Sequence, residues 1–473
     1  MHLMKLFTIP LLATTLFASA PFSVDATEDV SSQFPGAPRL QSFSFAHWEG
    51  RWVFIGGRTA GYHSVGGGTA EFLQSDANRD VWVVDTTVEP ARSYHVSLDR
   101  MADTLAPVRA QWSSTAQLSY QDGPALYIAG GYGQDEYGRW ITFPLISRVE
   151  LPALIQAVMR GQLPDSAVTY ARTPLTESAG GGLVKLDDGY FYLVMGHSFQ
   201  GNYTAFEGEQ EQNSQTVSQE YLSEIRKLSI VASSAGLEVR LVEKFRDEEE
   251  FHRRDLNVAQ VLSPQGLGLA AYGGVFTPKT QLNYSKPVYL LPGSAPAVDT
   301  TFDQKMNAYS CAVLSLYDKT AGTMYTTLFG GISRYQWDGV RFAENPKSGS
   351  KSDSTYLDGL QWSDQISILQ RVMTPGREQT TETVESKSMT AFVGANATFI
   401  PVEGLAKAHP ATDILDIAPL RGTRTFVGYL YGGIQAKPYR FPYNKSAQPQ
   451  NSGVVPTTTN GLILKVYLDV PGN

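Results

Sequence analysis

The chain has a single cysteine, Cys311, among 473 residues. One thiol cannot close an internal disulfide, so stability has to come from a packed core. Charge is scarce too: charged residues make up 18% of the chain, with 46 acidic against 38 basic residues and a formal net charge of −8. No basic run occurs, which excludes a nucleic-acid partner, because phosphate neutralisation supplies most of that affinity. Beyond residue 26 no stretch approaches the roughly 18 consecutive apolar residues of a membrane-spanning helix, so no transmembrane segment is expected. There is no G-x-S-x-G elbow and no G-x-x-x-x-G-K-[ST] loop. The seven histidines, at positions 2, 47, 63, 95, 197, 252 and 409, include no close pair, so neither a metal nor a cofactor is expected. Asp76-Ala77-Asn78-Arg79-Asp80 starts like a calcium loop but lacks its glycine and distal glutamate; the segment is expected to turn the chain into a strand.

What is present marks a folded globular chain: 42% hydrophobic residues, 11% aromatics, 43 glycines and 26 prolines. Residues 1–26 have the pattern of a secretory signal, with Lys5 ahead of an apolar stretch from Leu6 to Phe17. Two small-residue cleavage sites follow, Ala18-Ser19-Ala20 and Val24-Asp25-Ala26. Pro21 disfavours the first, so cleavage after Ala26 is expected. The apolar run is too short for an anchor across roughly 30 Å of hydrocarbon. A leader together with cysteine avoidance points to an exported bacterial protein, periplasmic or secreted.

Short apolar or aromatic runs end repeatedly in Gly-Gly. They are Trp52 to Ile55 before Gly56-Gly57, Leu126 to Ala129 before Gly130-Gly131, Leu269 to Tyr272 before Gly273-Gly274, Tyr325 to Phe329 before Gly330-Gly331, and Tyr429 to Tyr431 before Gly432-Gly433. A degenerate copy is Tyr190 to Met195 before Gly196-His197. The first glycines are 74, 66, 77, 57 and 102 residues apart, a period that signals a solenoid or propeller. Each run is strand-like, and paired glycines allow φ > 0 and close backbone approach. A second strand follows in several copies, most clearly Asn78 to Asp85.

This order of apolar strand, Gly-Gly, variable loop and second strand with an aromatic and a terminal acid resembles the kelch repeat; Arg51 to Gly57 with Asn78 to Asp85 fits best. Six copies imply an all-β fold, a six-bladed kelch-type β-propeller forming one domain over residues 27–473. The spacing exceeds the usual period of about 50, which implies long inter-strand loops. The whole chain also resembles a group of exported bacterial kelch-like proteins that brings no assigned activity with it. A closed ring leaves no open sheet edge, so a strand near Arg39-Leu40-Gln41 is expected to join the C-terminal blade, whose last strand lies near Gly461 to Asp469. One short helix is expected over Leu151 to Gly161, with Pro152 in its first turn. The polar stretches Glu207 to Ser218 and Asn345 to Ser354 are expected to be exposed loops.

The densest polar cluster is Phe251-His252-Arg253-Arg254-Asp255-Leu256-Asn257, just before a strand of the fourth copy. In a propeller that strand is innermost. Guanidinium groups at a channel mouth could clamp a carboxylate, sulfate or phosphate, or could simply pair with acids between blades. If the copies are homologous, His47, Gln111, Trp112, Glu177, His252, Arg253, Arg254, Asp255, Asn307, Tyr309 and His409 converge on one mouth, a pocket for a polar small molecule or sugar. The leading expectation is a binding or scaffold module for a protein, glycan or small anion. Some kelch propellers resemble epimerases or lyases; in that alternative Arg253 or Arg254 holds an anion and Glu177, His252 or His409 moves protons. A surface adhesin is the third reading. A copper radical site resembling that of the galactose oxidase group would need Tyr309 beside Cys311 plus two histidine ligands; no histidine pair matches, and Cys311 is expected to be a packing residue.

Overall fold

The computed structural model describes residues 20–62, 72–203, 218–233, 236–280, 282–345, 361–437 and 457–472. Residues 1–19 and most of the two polar stretches lie outside the described residues. At the edges of the latter, Ser218 opens a strand and Asn345 is buried.

The chain is all-β, with two short α-helices among the described residues. Five antiparallel sheets follow one another along the sequence. The first contains Ser44–Trp48, Arg51–Ile55, Asp80–Asp85 and Arg92–Ser97. The second contains Leu118–Asp122, Ala125–Ala129, Leu145–Glu150 and Val168–Arg172. The third contains Gly182–Lys185, Phe191–Val194, Glu224–Ser233 and Gly236–Arg246. The fourth contains Asn257–Ser263, Gly266–Tyr272, Val288–Leu290 and Ala297–Val298. The fifth contains Ala312–Asp318, Thr323–Ser333, Gln361–Val372 and Gln379–Val384, with Leu415–Asp416 added in parallel beside its first strand. A sixth sheet joins Thr398–Pro401, Thr423–Tyr431 and Leu464–Val470 to the N-terminal strand Ser23–Asp29.

The apolar runs ahead of the glycines form the second strand of each sheet, and the packing explains why they do not alternate with polar residues. Val53 and Ile55 face a core shared with Leu126 and Ile128 of the second sheet, whereas Trp52 and Phe54 face Tyr431 of the sixth. Tyr127 and Ala129 meet Phe191 and Leu193, while Tyr192 and Val194 enter a core shared by the third, fourth and fifth sheets. Phe329 and Leu430 share the core between the fifth and sixth. Both faces of each second strand are therefore dry, as in a sheet covered on both sides. Fully burying one such side chain contributes about 1.5–3 kcal/mol. The expected helix is present as Leu151–Met159, with Pro152 in its first turn and Leu151, Leu154, Ile155 and Val158 in the core between the first two sheets. A second helix, Ala106–Trp112, was not expected from the sequence.

The glycine doublets join each sheet to the next. The second member of each donates its N–H across the junction: Gly57 to Ser114 O, Gly131 to Ser178 O, Gly196 to Arg253 O, Gly274 to Ala308 O, Gly331 to Val393 O and Gly433 to Leu40 O, at 2.6 to 3.0 Å. Beside these bonds six backbones form a closed head-to-tail cycle. Ala116 donates to Ser42, Gly180 to Ala116, Asp255 to Gly180, Ser310 to Asp255, Asn396 to Ser310, and Ser42 back to Asn396, at 2.6 to 3.3 Å. The doublets take positive φ, and at Gly130 (φ 61°) a Cβ would overlap the Ser178 carbonyl oxygen. In the third sheet the doublet is Met195-Gly196, not Gly196-His197: Met195 holds φ 57° and Gly196 makes the junction bond. The sequence between the second and third strands of every sheet leaves from this doublet end and accounts for part of the long spacing; residues 402–422, between the first two strands of the sixth sheet, add to the last interval. It includes a further four-stranded sheet, Tyr132–Gln134, Trp140–Thr142, His197–Gln200 and Ser218–Tyr221.

The strand closing the sixth sheet differs from the one expected. It is Ser23–Asp29, with Ser23, Val24 and Asp25 opposite Asp469, Leu468 and Tyr467. Arg39-Leu40-Gln41 instead leads into the first sheet: Leu40 accepts from Gly433, and Gln41 makes a single bridge to Arg58. The physical reason is burial. Phe22, Val24 and Ala26 supply apolar side chains at the core between the fifth and sixth sheets, which the 39–41 segment cannot reach. The expected cut after Ala26 falls in the middle of this strand.

Candidate functional site

The predicted ligand ring separates into three groups. The first is structural. The carbonyl of the first doublet residue points away from its own sheet ladder, and a buried side chain donates to it in every sheet. Asn78 serves Gly56 at 2.9 Å, Gln111 Gly130 at 3.2 Å, Ser178 Met195 at 2.9 Å, Arg253 Gly273 at 3.1 Å, and Asn460 Gly432 at 3.0 Å; Asn307 does the same for Gly330. An unpaired buried carbonyl is costly, so these positions must be polar without facing a ligand. Gln111 and Trp112 lie in the unexpected helix, fully buried, and both bond Ser147. Arg253 is 0% exposed, donates to Glu250 as well, and lies 4.2 Å above the Tyr284 ring. Gln111, Trp112, Arg253 and Asn307 therefore do not line a mouth.

The second group is at the doublet end of the ring. Arg254 precedes the cycle residue Asp255 and is held by a backbone bridge to Val275. Its side chain is 10% exposed. The guanidinium carbon lies 5.7 Å from the Tyr203 ring centre and 5.4 Å from that of Phe276. Nη2 reaches Tyr203 Oη at 3.3 Å, Nε is 3.8 Å from Asp255 Oδ2, and Nε has no hydrogen-bond partner. Burial disfavours the charge, but Tyr203, Tyr221 and Asp255 keep the Arg254 pKa well above the arginine norm. Asp255 is pushed up by burial, while Arg254 and a hydrogen bond with Tyr309 oppose that shift. His197 is pushed well down by burial and then by Arg254, so it is neutral at pH 7, with Nδ1 2.8 Å from the Gln219 amide nitrogen. Tyr309 belongs to an apolar layer with Ile332, Trp362 and Ile434, and Tyr62 meets Tyr309 and Trp362 edge-on at 6.5 and 5.6 Å. His252 stacks on Tyr221 at 3.7 Å, and Glu177 accepts from Ser198 and Gln200 at 2.5 and 3.0 Å.

Several residues of this end were missed from the sequence. Arg58, 5% exposed, lies 4.2 Å over Phe72 and 3.3 Å from Asp76. Tyr132 bonds Gly201 O and Tyr203 N, both at 2.8 Å. Arg58, Tyr132 and His197 each stand one place after a doublet, and that position was the available signal.

The third group is at the opposite end. His47 lies five residues down the first strand from Ser42, roughly 15 Å at strand rise. There the hairpin running from Glu403 to Asp416 crosses the end of the ring. Its carboxylates Glu403 and Asp413 lie 3.8 and 3.7 Å from His47, Lys407 bonds Asp413 at 2.8 Å, and His409 reaches Asp187 of the third sheet at 3.2 Å. Ala408 and Ile414 pack on the core of the third to fifth sheets. Burial raises the Asp413 pKa, but His47 and Lys407 more than offset it and bring it down to about 2. His47 and His409 thus belong to a crossbar, not to the Arg254 cluster.

Cys311 is buried in the core while Tyr309 lies in the layer at the doublet end, so the two do not share a face. Burial pushes the thiol up to about 12, which leaves it without thiolate character. Among the described residues no group of three or more His, Cys, Asp or Glu side chains could hold a metal ion, and no helix is long and apolar enough to cross a membrane.

No protein-family profile matches the chain, and no curated protein matches its sequence. A solved structure titled "Structure of YjhT" is similar over 90% of this chain and 99% of that chain, with a TM-score of 0.46 at 10% identity.

Proposed function

We propose that the chain is an exported six-bladed propeller of kelch type that binds a small anionic ligand at the doublet end of its ring. The blade reading is supported by six doublets in equivalent places and by the closed cycle of six backbone hydrogen bonds. The binding reading rests on Arg254, a buried cation that lies 3.8 Å from the carboxylate of Asp255 and whose Nε is unpaired. Such a group is stabilised by an anion, and the rings of Tyr203, Phe276 and Tyr309 would exclude water around it. Of the groups expected to move protons in an epimerase or lyase, His409 is on the crossbar, while Glu177 is engaged by Ser198 and Gln200 and His252 is stacked on Tyr221, so binding is preferred over catalysis.

The test is a thermal-shift and calorimetric panel of acetate, sulfate, phosphate, sugar acids and neutral sugars on the full chain and on Arg254→Gln. Anionic members should raise Tm in the native chain, with at least tenfold weaker binding in Arg254→Gln. Equal binding of neutral sugars by both chains would overturn the assignment.

A further inference from the structure

We infer that the leader is removed after Ala20, at Ala18-Ser19-Ala20, so that the mature chain starts at Pro21 and keeps the whole strand Ser23–Asp29. This rests on the export reading and is independent of the ligand. The argument is what cleavage after Ala26 would remove. Of the five paired positions of this strand, Ser23↔Asp469, Val24↔Leu468 and Asp25↔Tyr467 would go, leaving Glu28↔Lys465 and Asp29↔Leu464. The core would lose Phe22, Val24 and Ala26, which are 6%, 2% and 0% exposed, and the edge-on contact of Phe22 with Tyr325 at 5.2 Å.

The strand is also fastened to two sheets by polar groups. The Val24 N–H donates to Glu385 Oε1 of the fifth sheet's border at 3.0 Å. Asp25 Oδ2 accepts from Lys387 at 2.8 Å and from Arg424 of the sixth sheet at 2.9 Å. The Glu385 and Lys387 contacts hold the edge of the last sheet against its neighbour, the Arg424 contact fastens the strand within its own sheet, and without the strand Leu464–Val470 would present an open edge. Pro21 after the scissile bond slows peptidase attack but leaves Phe22 onward free to dock. The second small-residue triplet, Val24-Asp25-Ala26, is sequestered by pairing once the sheet has formed.

N-terminal sequencing and intact mass of the exported protein decide the matter. A mature N-terminus at Pro21 is expected; Thr27, or an uncleaved chain, overturns the inference. Chains produced to begin at Pro21 and at Thr27 give a second readout that does not depend on processing. The Thr27 chain should melt lower by on the order of 5–10 °C. Equal Tm values would overturn the structural argument even if sequencing gave Pro21.

Discussion

At the crossbar end of the ring, His47, Lys407 and His409 each meet a carboxylate, whereas at the doublet end Arg254, among the described residues, has Asp255 at 3.8 Å and the rings of Tyr203 and Phe276. The crossbar carboxylates Glu403 and Asp413 are about half exposed, and so share their charge with water. Arg254 is withdrawn from water and keeps an unpaired Nε. Charge pairs of the first kind close an end of the ring at little cost or gain. On the proposed reading, a buried cation of the second kind is retained to pair with a ligand. The same residue types, histidine, arginine and aspartate, thus do different work according to the end to which the backbone delivers them.

The adjacent arginines break this comparison most sharply. Arg253→Ala should destabilise the chain by about 3 kcal/mol, because it strips donors from the buried Gly273 O and from the partly exposed Glu250. Arg254→Gln should stay within about 1 kcal/mol of the native chain in urea unfolding while losing ligand. If the two variants unfold alike, Arg254 is a structural residue and the doublet end is no site. A smaller effect is expected from acid. Asp413 has its folded pKa lowered to about 2, so the stability it contributes is present above its unfolded value, 3.8, and is lost as pH falls toward 2. With its side chain 52% exposed, the contribution is screened to about 1 kcal/mol. Asp413→Asn should flatten acid unfolding between pH 4 and pH 2, read by tryptophan fluorescence; an unchanged profile would mean that the crossbar is not held by this carboxylate. Least of all, His409→Ala should cost no more than about 0.5 kcal/mol, since its partner Asp187 is about half exposed and the contact is screened by water. A larger loss in calorimetry would show that the hairpin is fastened at that point.

The strands and their junctions were legible because φ > 0 at a crowded backbone leaves glycine almost alone. Trp52 to Ile55 before Gly56-Gly57 could hardly be read otherwise. The third copy slipped by one residue because Met195 occupies the left-handed region there, with its side chain buried in the core. The helix at Leu151 was carried by Pro152 and one apolar face; Ala106–Trp112 was missed because Gln111 and Trp112 look like strand polar and aromatic residues until Ser147 is seen to pair with both. Arg254 and Asp255 were found by charge density, but so was Arg253, which points the other way. Neighbouring residues in an extended segment face opposite sides, and no local pattern says which side is core.

The amino-acid sequence alone determined that the chain forms short, fully buried strands ended by glycines, because those preferences are set by backbone sterics and by apolar runs within a few residues. Tertiary structure alone decided which polar side chains satisfy doublet carbonyls, which meet at Arg254, and that Ser23–Asp29 completes the last sheet. Each of those depends on partners tens to hundreds of residues away, which only the folded backbone brings together.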